Sequence, residues 1–129
     1  MELHAVKVEE NSWSTRWELR VAGPETVVGS LFHNRATNYY TASVQSRFTG
    51  LQLGAEQRIT KQAALAWARG VIVNEPQPTP ESLDRDIAGL KEARYQDEMS
   101  DDFAYSNGKI AAWDEKIRRL ERLKASLIA

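Results

Sequence analysis

Trp13-Ser14-Thr15-Arg16-Trp17-Glu18-Leu19-Arg20-Val21 alternates at every step. Trp13, Thr15, Trp17, Leu19 and Val21 fall on one side, and Ser14, Arg16, Glu18 and Arg20 on the other. Successive strand side chains point to opposite faces, so this period of two predicts a strand with one buried face. The same grammar continues outward. Upstream, Leu3 to Glu9 alternates in part and stops at the turn cluster Glu10-Asn11-Ser12. Downstream, Ala22-Gly23-Pro24-Glu25 reads as a turn, and Thr26 to His33 is rich in β-branched and aromatic residues. A loop over His33–Asn38 leads to Tyr39–Phe48, where Tyr40, Ala42, Val44 and Phe48 oppose Tyr39, Thr41, Ser43, Gln45 and Arg47. The expectation is an antiparallel meander of three to four strands.

The period then lengthens. Behind Thr60 as N-cap, Ala63, Ala64, Ala66, Trp67, Ala68, Val71 and Ile72 give a helix with one broad apolar face. Alanine lets such a helix lie close on the sheet, and Trp67 is expected to plug the face that presents Trp17 and Tyr40. Pro76-Gln77-Pro78-Thr79-Pro80 carries three prolines in five residues, which no helix continues through. Thr79-Pro80 next supplies an N-cap with proline at the first helical position, followed by Leu83, Ile87 and Leu90 at helical spacing. Ser106-Asn107-Gly108 reads as a break. Beyond it Ile110, Trp113, Ile117, Leu120 and Leu127 form a seam. The predicted fold class is therefore α+β: 1–75 a sheet backed by one helix, 76–80 a connector, and 81–129 a helical hairpin. The 110–127 seam could be filled within the chain or by a second copy, making a homodimer.

Composition narrows function. The 129 residues include no cysteine, which excludes disulfides, thiol nucleophiles and Cys-ligated metal. Seventeen basic against eighteen acidic residues give a net charge of -1, against a chain-wide grip on nucleic acid or anionic lipid. No apolar run nears the roughly 18–20 residues of a membrane span, and Met1-Glu2-Leu3-His4 does not open a signal peptide. A cytoplasmic protein without membrane contact is expected. His4 and His33 stand far apart, and no nucleophile elbow, phosphate-cradling glycine loop or zinc motif occurs. No catalytic residue, metal or cofactor is expected.

Contact candidates remain. With consecutive hairpins, Arg16, Arg20, Tyr39, Thr41, Ser43, Gln45 and Arg47 share the outer sheet face, where arginines and amides could meet phosphates, bases or a protein. His33 and Arg35 occupy the adjacent loop. The acidic run Asp97, Glu98, Asp101, Asp102 offers a negative dock for a basic partner, since its spacing lacks the glycine and terminal glutamate of a calcium loop. Phe32, Phe103 and Tyr105 join Tyr39 as aromatics on polar faces or in loops.

Tyr40-Thr41-Ala42-Ser43-Val44, Gly50-Leu51-Gln52-Leu53-Gly54 and Thr60-Lys61-Gln62-Ala63-Ala64-Leu65-Ala66-Trp67-Ala68 together resemble the N-terminal arm-binding domain of phage integrases. The likeness covers residues 39–69. It implies a three-stranded sheet that enters the major groove with a helix behind it. The family's strongly basic character is absent here, and a helical hairpin stands where its core-binding and catalytic regions would follow. The resemblance thus supports the sheet-plus-helix fold more than DNA binding. The leading expectation is a non-catalytic binding protein, of the kind of a phage inhibitor (anti-CRISPR or other anti-defence) that docks on a host protein or a protein–nucleic acid complex. A DNA-binding module and a self-assembling structural subunit are the alternatives.

Overall fold

The computed structural model of the chain describes residues 2–23, 25–99 and 103–128, with residues 103–107 described by their backbone alone. The chain divides into two compact units, Met1–Pro76 and Gln77–Ala129. The first holds β1 (Leu3–Glu10), β2 (Ser14–Val21), β3 (Thr26–Asn34), β4 (Tyr39–Gln45), β5 (Gln52–Arg58) and α1 (Lys61–Val73). All five strands pair antiparallel in chain order, β1-β2-β3-β4-β5. The fold is α+β, and the meander has five strands where the sequence predicts three to four. The added strand is β5, Gln-Leu-Gly-Ala-Glu-Gln-Arg, which has no β-branched or aromatic residue. Pairing with β4 makes it a strand. Correspondingly β4 ends at Gln45, so Arg47 and Phe48 sit in the β4–β5 connection.

Register assigns the faces. Trp17 pairs with Leu31 and Leu31 with Ala42, which puts all three on the inner side. Leu3, Leu19, Val28, Leu31, Ala42 and Val44 are buried there with Ala64, Ala68 and Ile72 of α1. The last three recur every fourth residue, one stripe of the helix. Thr60 caps α1 by accepting from the Ala63 N–H at 3.1 Å. Trp67 lies against β5 at Gly54, where an added Cβ would stand 3.6 Å from its ring. Over Trp17 sits Lys61 instead, its ammonium 4.6 Å from the ring centroid. A bulge between β2 and β3 brings Gly29 so close to β4 that a Cβ would meet the Ser43 carbonyl oxygen at 2.0 Å.

The second unit is α2 (Pro80–Glu98) and α3 (Phe103–Ile128). Lys124 meets Asp84 and Arg94 meets Asp114, so the helices run antiparallel. Thr79 and Ser82 form a reciprocal capping box, with Pro80 at the first helical position. Leu83, Ile87 and Leu90 of α2 are buried, as are Ile117 and Leu120 of α3. The seam is therefore covered within the chain at Ile117 and Leu120, half-covered at Ile110 and Trp113, and exposed at Leu127. Ser106-Asn107-Gly108 does not break the helix: α3 runs through it. Among the described residues no helix is long and apolar enough to cross a membrane.

Candidate functional site

The β1–β2 turn defines one end of the sheet. Asn11 Oδ1 accepts from the backbone N–H of Trp13 at 2.8 Å and of Ser14 at 2.9 Å. This Asx turn takes Trp13 out of the strand, which starts at Ser14. Alternation alone places Trp13 in the inner layer; it is instead 76% exposed. Its carbonyl accepts from the Arg35 N–H at 2.9 Å, which ties the β1–β2 turn to the β3–β4 turn.

Cross-strand pairing brings further residues to this end. Ser14 pairs with Asn34 and Asn34 with Tyr39, while Arg16 pairs with Phe32 and Phe32 with Thr41. Phe32 and Tyr39 thus share the outer face with Arg16, and they are 38% and 43% exposed. Arg35 Nη2 donates to Glu10 Oε1 at 2.9 Å and to Thr15 Oγ1 at 3.4 Å. Lys7 Nζ donates to the other Glu10 oxygen at 2.6 Å. Lys7, with Arg35 second, holds the Glu10 carboxyl below the usual carboxylate range. Arg16, Phe32 and Tyr39 therefore share the outer face at this end of the sheet, beside the turn that carries Trp13, while Glu10 and Thr15, paired on the inner face, hold the Arg35 guanidinium on that opposite side.

The arginines and the other candidates each have partners of their own. Arg16 reaches Glu9 at 3.7 Å, and Arg20 reaches Glu18 at 3.1 Å and Glu25 at 4.0 Å. Arg47, in the β4–β5 connection, has its guanidinium 4.8 Å from the Phe48 ring centroid. Of the three arginines expected on the outer face, Arg16 and Arg20 thus lie in its strands and Arg47 lies beyond the end of β4. Gln45 stays on that face and donates from Nε2 to the Val27 carbonyl at 3.3 Å. His33 belongs to β3 rather than a loop. It pairs with Tyr40 on the inner face, stacks on its ring at 4.2 Å between centroids, and has Nε2 2.9 Å from Asn38 Oδ1.

In the second unit Asp97 accepts from Trp113 Nε1, and Glu98 accepts from Arg94 Nη1 at 2.9 Å. Asp114, with Glu98 second, raises the pKa of Arg94 further above its ordinary value. Both carboxylates thus have partners inside the hairpin, which weakens the acidic dock. Asp101 and Asp102 lie outside the described residues, as do the side chains of Phe103 and Tyr105. Among the described residues, no cluster of three or more His, Asp or Glu side chains could hold a metal ion. Comparisons with family models, curated proteins and solved structures give no match to this chain.

The aromatic end was only half legible. Tyr39, Phe32, Arg16 and Arg35 stand out by their placement in alternating segments or an adjacent loop. Trp13 did not, because its phase matches the buried row. Asn11 two residues earlier is the signal that could have found it.

Proposed function

We propose that the chain is a non-catalytic binding protein that docks on another protein through the Trp13, Phe32 and Tyr39 end of its sheet. The observation that carries this reading is Trp13, whose indole is exposed while its backbone is held on both sides. A large aromatic surface with few rotatable bonds on a fixed turn loses little entropy when covered, and Trp, Tyr and Arg dominate binding hot spots. Arg16, already positioned by Glu9 on the outer face, supplies a charged rim. The partner we assign is a host protein, in keeping with the phage-like sequence of residues 39–69.

Duplex DNA is the poorer partner. Arg16 and Arg20 are paired with carboxylates, and a phosphate would have to displace them. Pull-down from host lysate, with and without nuclease, tests the choice. The expected result is a protein captured regardless of nuclease and lost at least tenfold with Trp13→Ala, whose melting temperature stays within about one degree of wild type. Wild-type duplex DNA binding should be no tighter than about 10⁻⁴–10⁻⁶ M at physiological salt. Sub-micromolar, salt-sensitive duplex binding that disappears when Arg16, Arg20 and Arg47 are replaced together would put the DNA reading first.

A further inference from the structure

Among the described residues the sheet is open, with β1 and β5 at its two ends and no strand beyond either. Unpaired edges template association unless bulges, charges or cover blunt them. β1 is blunted twice. Its register breaks between Lys7 and Glu9, and Lys7, Glu9 and Glu10 all stand in ion pairs along it. β5 is irregular only at its start, where the register shifts beside Gln52, so residues 54–58 run straight. Ala55 and Gln57 are exposed on this stretch, and Ile59 just beyond it is 73% exposed.

We propose that β5 pairs antiparallel with β5 of a second copy, about a twofold axis at Gln57, and so joins two sheets edge to edge. Sequence selects that register. An axis at Gln57 sets Glu56 opposite Arg58 of the second copy, twice, and Ala55 opposite Ile59, twice. An axis at Glu56 sets two carboxylates face to face, which costs stability. An axis at Ala55 leaves Arg58 opposite Gln52, at the irregular end, with no ionic partner. Within one chain Arg58 Nη1 bonds Glu56 Oε1 at 2.7 Å and donates to the Gln57 carbonyl at 3.2 Å. Pairing exchanges each internal ion pair for one across the axis and releases the Gln57 carbonyl to the new ladder. So short a contact lies far below the roughly 1,600 Å² of a standard interface, so the dimer is weak and concentration-dependent. It does not depend on the docking function proposed above.

Sedimentation equilibrium of the full chain from about 10 μM to 1 mM tests this, a span that brackets weak association. The expected result is a weight-average mass that climbs towards the dimer. Glu56→Arg or Arg58→Glu alone sets like charges across the axis twice and weakens association about tenfold. The double exchange restores the opposition and the mass. A thermal melt at the lowest concentration accompanies each variant. Should an exchange impair folding, Ile59→Glu gives the same reading, because that side chain is exposed within the monomer. A monomer mass throughout for the wild type overturns the proposal. So does a dimer indifferent to the single exchanges or to Ile59→Glu, or one that the double exchange leaves broken.

Discussion

Gly29 shows how one missing atom sets strand spacing. A methyl group there would stand 2.0 Å from the Ser43 carbonyl oxygen, which is backbone and cannot swing away. Gly29→Ala is expected to destabilise by more than about 3 kcal/mol, seen as a lower denaturant midpoint. An unchanged midpoint would mean that β3 and β4 can separate at this point without cost. Glu10 is the residue for pH. Its pKa is lowered in the folded chain, so its contribution is present above the unfolded value and is lost as pH falls through the folded one. A carboxyl titration followed by NMR should place its midpoint below that of an exposed glutamate, and Lys7→Met should move it upward. No movement would remove Lys7 as the main cause. At this scale the sequence was partly readable. Trp17, Leu19, Tyr40 and Val44 take the faces their alternation predicts, because period two is a property of the strand itself. The pairing of Arg16 with Glu9 was hidden, because it depends on a register that one strand does not contain.

Among elements, legibility followed local propensity. α1 and α2 carry their own start signals, Thr60 and Thr79-Pro80, and both begin where those residues place them. β5 carries none, since its strand state comes from pairing with β4. Asn107-Gly108 resembles a helix stop, yet α3 runs through it, because intrinsic propensity yields there to the longer helix. Asp114 is occupied by Arg94, so Arg118 turns to Glu115, which Arg122 also reaches. The capping box offers a clean test. Thr79→Ala loses the bond to the Ser82 N–H and is expected to cost about 1 kcal/mol in a helical unfolding curve. Thr79→Ser should retain most of it. Equal losses from both substitutions would show that the cap contributes nothing.

For the whole molecule, the two units have separate buried sets. Leu3, Leu19, Val28, Leu31, Ala42, Val44, Ala64, Ala68 and Ile72 form one, while Leu83, Ile87, Leu90, Ile117 and Leu120 lie in the other. A fragment of residues 1–76 is therefore expected to melt cooperatively, with near-ultraviolet dichroism from Trp17 and Trp67. Residues 77–129 alone should be marginal, since two helices bury little surface. A 1–76 fragment without a cooperative transition would show that its core depends on the rest of the chain. The boundary between the units falls within the proline-rich stretch, at Pro76–Gln77, but no composition announces the order of the strands. That order has a kinetic consequence. Because each strand bonds only to its neighbours along the chain, every pairing closes a short loop, and none waits for a distant segment. Contact order within the sheet is correspondingly low for an antiparallel structure, which favours fast refolding. During synthesis the meander can lengthen hairpin by hairpin as residues emerge, with only the newest edge open to other chains at any moment.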